Sequence, residues 1–149
     1  GEGESSRLNR AMVRGSKSSV AVQTLHDPFG PMRGAGVFGA LAIANGGVPI
    51  DSVRAELARE LFDSADRIGA DELEKAKNAW RANTIFGRQR AADVAEAVQY
   101  AALYLGGPAA VNTEAARYAA VTLADLRRVA QTYLRPERSL TLVIAPEDR

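Results

Sequence analysis

From Asp71 the chain runs without a proline until Pro108. Leu73, Ala76, Trp80, Ala91, Val94, Val98 and Leu105 recur along it at helical intervals. That pattern predicts one long helix, or two joined near Gly87, and the Gly106-Gly107-Pro108 run stops it. "DELEKAK" opens the block at Asp71, and Glu74 lies three residues on, a capping-box spacing. A helical block of this length needs a second apolar layer to bury its stripe.

The segments on either side supply that layer. Ser5 or Ser6 can cap a first helix carrying Leu8, Met12 and Val13, which Gly15 ends. "SSVAVQTL" (18–25) and "VFGALAIAN" (37–45) are β-rich and flank a Pro/Gly turn, "DPFGPMRGAG" (27–36), so they predict an antiparallel pair. Asp51 can cap a helix that aligns Val53, Leu57, Leu61, Ala65 and Ile68. Beyond Pro108, a short helix fits 109–118. Thr122 caps another, with Asp125 at the third position and Leu126, Val129, Ala130 and Tyr133 turned inward. "SLTLVIAP" (139–146) is expected to return to the sheet as a final strand, because a lone strand leaves its backbone groups unsatisfied. The order implies a single α+β domain over 1–149, an antiparallel sheet with helices packed on one side.

Composition excludes several function classes. At 149 residues one domain with a real core is expected. Nineteen basic and 18 acidic residues leave a net charge of +1, with no footprint for nucleic acid or an anionic membrane. No apolar run approaches the length that spans a bilayer. The absence of cysteine removes disulfides, thiol nucleophiles and thiolate metal sites, and is compatible with cytoplasm and periplasm alike.

Single motifs carry little chemistry. "GAGVFG" (34–39) matches a dinucleotide-loop pattern, but a turn precedes it and a strand-like run follows, where that chemistry needs a strand and then a helix. His26 is the only histidine, and zinc-peptidase motifs need two on one helical face. It reads as a strand-end residue. Glu56, Glu60, Asp63, Glu72, Glu74, Asp93 and Glu96 mostly alternate with Arg or Lys, as solvated helix faces do. Trp80 and the four tyrosines read as packing groups. No metal-ligand set is expected in this chain.

Three stretches together resemble the M16 clan of zinc peptidases, the insulinase and mitochondrial-processing-peptidase-like proteins. "GEGESSRLNRAMV" is similar to their Gly-Gly-x-x-Ser-Arg-Leu segment. "ELEKAKNAWRAN" (72–83) resembles the start of their long helix. "RYAAVTLADLRRVAQTYLRPERSLTLVIAPE" (117–147) resembles their C-terminal signature. The resemblance implies an M16-type half domain whose first strand and helix lie upstream of Gly1. It further implies the metal-free half of a clamshell, which cradles an extended peptide against a homologous half bearing His-x-x-Glu-His. Zinc is then expected in that other half, in the same parent chain or a separate subunit, and no cofactor in this one. A bacterial setting, periplasmic or cytoplasmic, is expected. In active members this half also lends an Arg and a Tyr just after the Ser-Arg-Leu helix. Arg14 of Val13-Arg14 matches the Arg and is the substrate-binding candidate. The Tyr position falls on "KSSVA" (17–21), where Ser or Val stands instead. A second reading, a catalytically dead structural or assembly subunit of the same family, follows from that departure.

Overall fold

A computed structural model describes residues 3–27 and 36–145. The first helix begins as α-helix at Arg7 and continues as a π-helix, Asn9–Gly15. The Ser6 hydroxyl accepts from the Asn9 N–H at 3.4 Å, so Ser6 supplies the cap. The wider winding appears in the Ser16 N–H, which donates to the Ala11 carbonyl five residues back at 2.8 Å. A Cβ on Gly15 would lie 2.9 Å from the Arg10 carbonyl oxygen. Only glycine lets the backbone close that near.

Strands β1 (Ser19–His26) and β2 (Phe38–Ala44) form the expected antiparallel pair, in a register that places Val22 opposite Ala42 and Thr24 opposite Ala40. An irregularity between Ser19 and Ala21 leaves Val20 out of step. Because side chains alternate faces, Val22, Ala42 and Ala44 share one face, and they meet the buried cluster of Leu8, Met12 and Val53. Leu41 and Ile43 lie on the opposite face and are half exposed. Helices therefore cover one side of this sheet, an α+β arrangement. Residues 28–35 of the expected turn lie outside the described residues.

Helix α1 (Ile50–Phe62) supplies Val53, with Leu57 and Leu61 one and two turns on packed against the same cluster. Its cap is Pro49, not Asp51. Proline presets φ (here −59°) and lacks the N–H that a helix start leaves orphaned, so the helix opens two residues earlier. Asp51 falls in the first turn, beside Arg54 at 3.1 Å. After a break at Asp63, α2 (Ser64–Arg67) buries Ala65.

The proline-free block forms two helices, α3 (Ala70–Phe86) and α4 (Ala91–Tyr104), parted at Gly87 as the sequence allowed. The capping acid of α3 is Glu72, whose carboxylate accepts from the Gly69 N–H at 3.2 Å, and not Glu74. The helix starts one residue before Asp71, so Glu72 holds the third position. Glu74 instead pairs with Lys77 at 3.4 Å. Gly106 (φ +86°) and Gly107 (φ +150°) then reverse the chain in backbone regions other residues avoid. The helix expected over 109–118 is a 3-10 turn (Pro108–Asn112) followed by α5 (Glu114–Ala120).

Helix α6 (Leu123–Tyr133) carries the predicted capping box, with the Thr122 hydroxyl accepting from the Asp125 N–H and the Asp125 carboxylate accepting from the Thr122 N–H at 3.0 Å. It lies against α2, where Arg127 donates to the Ile68 carbonyl at 3.2 Å. Ala130 is buried, but Val129 and Tyr133 are exposed, contrary to expectation. The short α2 covers one narrow stripe of α6 and leaves its flanks open.

The final strand does not form. Residues 139–145 belong to no ladder, and Leu140, Leu142 and Ile144 are 96%, 80% and 85% exposed. Alternating branched residues favour extended backbone, but a strand needs a neighbouring edge for its N–H and C=O groups. Among the described residues, β1 and β2 pair only with each other. Pro146 lies outside the described residues.

Candidate functional site

Arg14 sits in the last turn of the π-helix, 57% exposed, and its guanidinium pairs with Glu4 at 2.5 Å. The segment where the resemblance expects a tyrosine carries no aromatic ring. It enters β1 through Lys17 (φ +56°) and the buried Ser18 and Ser19. The Ser16 hydroxyl donates to the Glu56 carboxylate at 3.0 Å and ties this junction to α1.

His26 ends β1, with its side chain 82% exposed. Its Nδ1 is 3.6 Å from the Asp27 carboxylate, whose other oxygen accepts from the Val37 N–H at 2.8 Å. Asp27 thus closes the base of the hairpin. No group of three His, Cys, Asp or Glu side chains could hold a metal ion among the described residues. Those residues do not fit the zinc that an M16-type peptidase uses.

The convergence of charge lies elsewhere, where the first helix meets the end of α1, α2 and the start of α3. A shallow cleft of about 540 Å³ opens there, lined by Arg7, Arg10, Glu60, Arg67, Asp71 and Glu72. Arg7 makes an ion pair with Glu72 and donates to the Arg67 carbonyl at 2.7 Å. Burial pushes the Glu72 carboxyl up. The hydrogen bonds from Arg7 and the Gly69 N–H, with the Arg7 charge, outweigh this and hold it below the ordinary glutamate value. Glu60 is the most enclosed charge, with a side chain 5% exposed, and Arg67 donates to its Oε1 at 3.2 Å. Two buried polar atoms in this wall have no partner among the described residues, Glu60 Oε2 and Arg7 Nη1.

Glu60 and Glu72 were expected on solvated helix faces. Their partners, seven and 65 residues distant, tie them to other elements, with Glu60 buried and Glu72 half-buried. The Arg7 of the Ser-Arg-Leu segment was the available signal, because a half-buried fork donor at a helix start needs an acid to meet it. Glu74 does sit on a solvated face, paired with Lys77 at 3.4 Å, and the half-buried Asp93 pairs with the exposed Arg90 at 2.6 Å. Trp80 and Tyr118 stack at 4.0 Å and 11°, joining α3 to α5. Tyr100 and Tyr104 contact each other along α4. No helix among the described residues is long and apolar enough to cross a membrane.

No family model matches the chain, and no curated protein does. Solved structures do. A protease from Helicobacter pylori superposes with a TM-score of 0.73 at 20% identity, over 93% of this chain and 33% of its own. A putative zinc protease from Bordetella pertussis Tohama I superposes with a TM-score of 0.74 at 20% identity, over 92% of this chain and 74% of its own. The present chain thus spans about a third of the Helicobacter protein. It has the α+β fold of these protease chains, consistent with the M16-like peptidase fold that its sequence motifs resemble.

Proposed function

We propose that this chain is the non-catalytic, substrate-cradling half of an M16-type zinc metallopeptidase. The observation that carries this reading is the superposition of nearly the whole chain on part of a larger protease. An extended peptide would add to an open edge of the β1–β2 ladder, where main-chain hydrogen bonds tolerate any sequence. Zinc belongs to a homologous half bearing His-x-x-Glu-His, which activates water and polarises the scissile carbonyl. Arg14 would face the peptide from the end of the first helix, once its exposed pairing with Glu4 exchanges for a carbonyl or oxyanion.

The assembly-subunit reading is supported by one observation, the Glu4 pairing that already satisfies Arg14 as an ordinary helix-end cation. Reconstitution with a zinc-bearing half separates the two. Turnover of an unstructured peptide should require both halves. Arg14→Ala should then lower it by roughly ten- to a thousand-fold, as loss of one charge-stabilising donor does. Turnover that ignores this chain would leave the assembly role.

A further inference from the structure

We propose that the cleft between the first helix and the start of α3 is a binding site for a small zwitterion, an ammonium and a carboxylate carried together as in an amino acid or a dipeptide. Three observations converge on it. Glu60 is a carboxylate with a side chain only 5% exposed, and Arg67 engages just one of its oxygens. Glu60 Oε2 is buried and has no partner among the described residues. A buried anion with one oxygen unpaired is a state folded proteins rarely leave standing, and an ammonium answers it best, because charge-assisted hydrogen bonds are about twice as strong as neutral ones.

The same wall offers the opposite chemistry. Arg7 spends its contacts on Glu72 and on the Arg67 carbonyl, yet its Nη1 is buried and has no partner among the described residues. Arg10, one turn along the first helix, lines the cleft and has no carboxylate partner among the described residues. Two guanidinium groups with spare donors make a fork for a carboxylate. The six charged side chains of the lining are three arginines and three acids, so the cleft neither repels nor collects ions of one sign. It rewards a ligand that brings both. A volume of about 540 Å³ admits an amino acid or a dipeptide, and the cleft is open enough for either to enter from solvent. This site needs neither the zinc-bearing half nor an extended peptide on the sheet edge, so it stands or falls apart from the peptidase reading.

The test is a backbone-amide NMR titration of the full chain with glycine, glycylglycine and N-acetylglycinamide, the last carrying neither charge. Glycine or glycylglycine should shift the Gly69 and Glu72 amides saturably, with a Kd on the order of 1 mM. N-acetylglycinamide should bind at least about ten-fold more weakly. Tighter glycine binding identifies a free amino acid as the ligand, and tighter glycylglycine binding a peptide. Glu60→Gln and Arg10→Ala should each weaken the preferred zwitterion about ten-fold and leave N-acetylglycinamide unaffected. Arg10 is exposed, so Arg10→Ala keeps the test decisive even if Glu60→Gln unfolds the chain. Overturning results are the absence of saturable shifts, equal binding of N-acetylglycinamide, or an Arg10→Ala chain that binds the zwitterion undiminished.

Discussion

Met12 and Phe86 are apolar side chains of comparable bulk on helices, yet Met12 is 0% exposed and Phe86 69%. The first helix and α1 pack on the same sheet face, so Met12 is enclosed with Leu8 and Val53 against Val22, Ala42 and Ala44. Phe86 ends α3 at the Gly87 break, where the chain turns away and offers no second layer. The same contrast runs through both regions. The N-terminal part gathers Leu8, Met12 and Val53 into one cluster. The later helices bury only Leu73, Ala101 and Ala130 among the described residues, and leave Ile85, Phe86 and Tyr133 to solvent. A helix stripe is closed by a broad partner, and a sheet is broader than a neighbouring helix.

The largest test of this contrast is a pair of truncations. Met12→Ala should cost about 2–5 kcal/mol, because a fully enclosed side chain leaves a cavity. Phe86→Ala should change stability by about 0.5 kcal/mol or less. Urea unfolding of both variants measures the difference. A Phe86→Ala cost equal to that of Met12→Ala would break the comparison, and would mean that something covers α3 in solution.

The Arg7–Glu72 latch joins the two regions and gives a smaller effect. Glu72→Gln should cost about 1–3 kcal/mol, the range for a hydrogen bond to a charged group. The Glu72 carboxyl is held below its ordinary value, so the unfolded chain takes up a proton more readily than the folded one. Its stabilisation is complete above the ordinary glutamate range, and is lost as pH falls through the lower, folded value. Urea midpoints followed down to about pH 3 should therefore fall less steeply in Glu72→Gln than in the parent. Parallel curves would remove the latch.

Within the helical region alone, Thr122→Ala should cost about 1 kcal/mol by deleting the side chain that caps α6. Thermal unfolding measures it. A loss several times larger would show α6 anchored more deeply than its exposed Val129 and Tyr133 indicate.

What could be read from the residues was local. The Ser6 cap, the Leu8/Met12 stripe, the two strands and the Gly87 break each follow from a few neighbouring side chains, and each is present. Boundaries slipped where two good caps stood close together, as at Pro49 and Asp51. The last strand failed because alternation describes a side-chain pattern, while a strand also needs an edge elsewhere in the fold. Glu60 and Glu72 were misread for the same reason. Their spacing to nearby basic residues concerns one helix, but burial depends on Arg7 and Arg67 brought from other elements. Fold class was thus legible, and the charged cleft was not.

The π-helical turn has a consequence for comparing chains. Its wider winding absorbs one residue that an α-helix of the same height would not hold. A relative lacking that residue would agree with this chain up to Leu8, before the π-helical stretch, and fall out of phase within it. Every later side chain on its helix would be rotated by about 100°, the turn per residue of an α-helix. Arg14 lies inside that stretch, in its last turn. Equivalence at this position is therefore a matter of angle around the helix axis as well as of position along the chain.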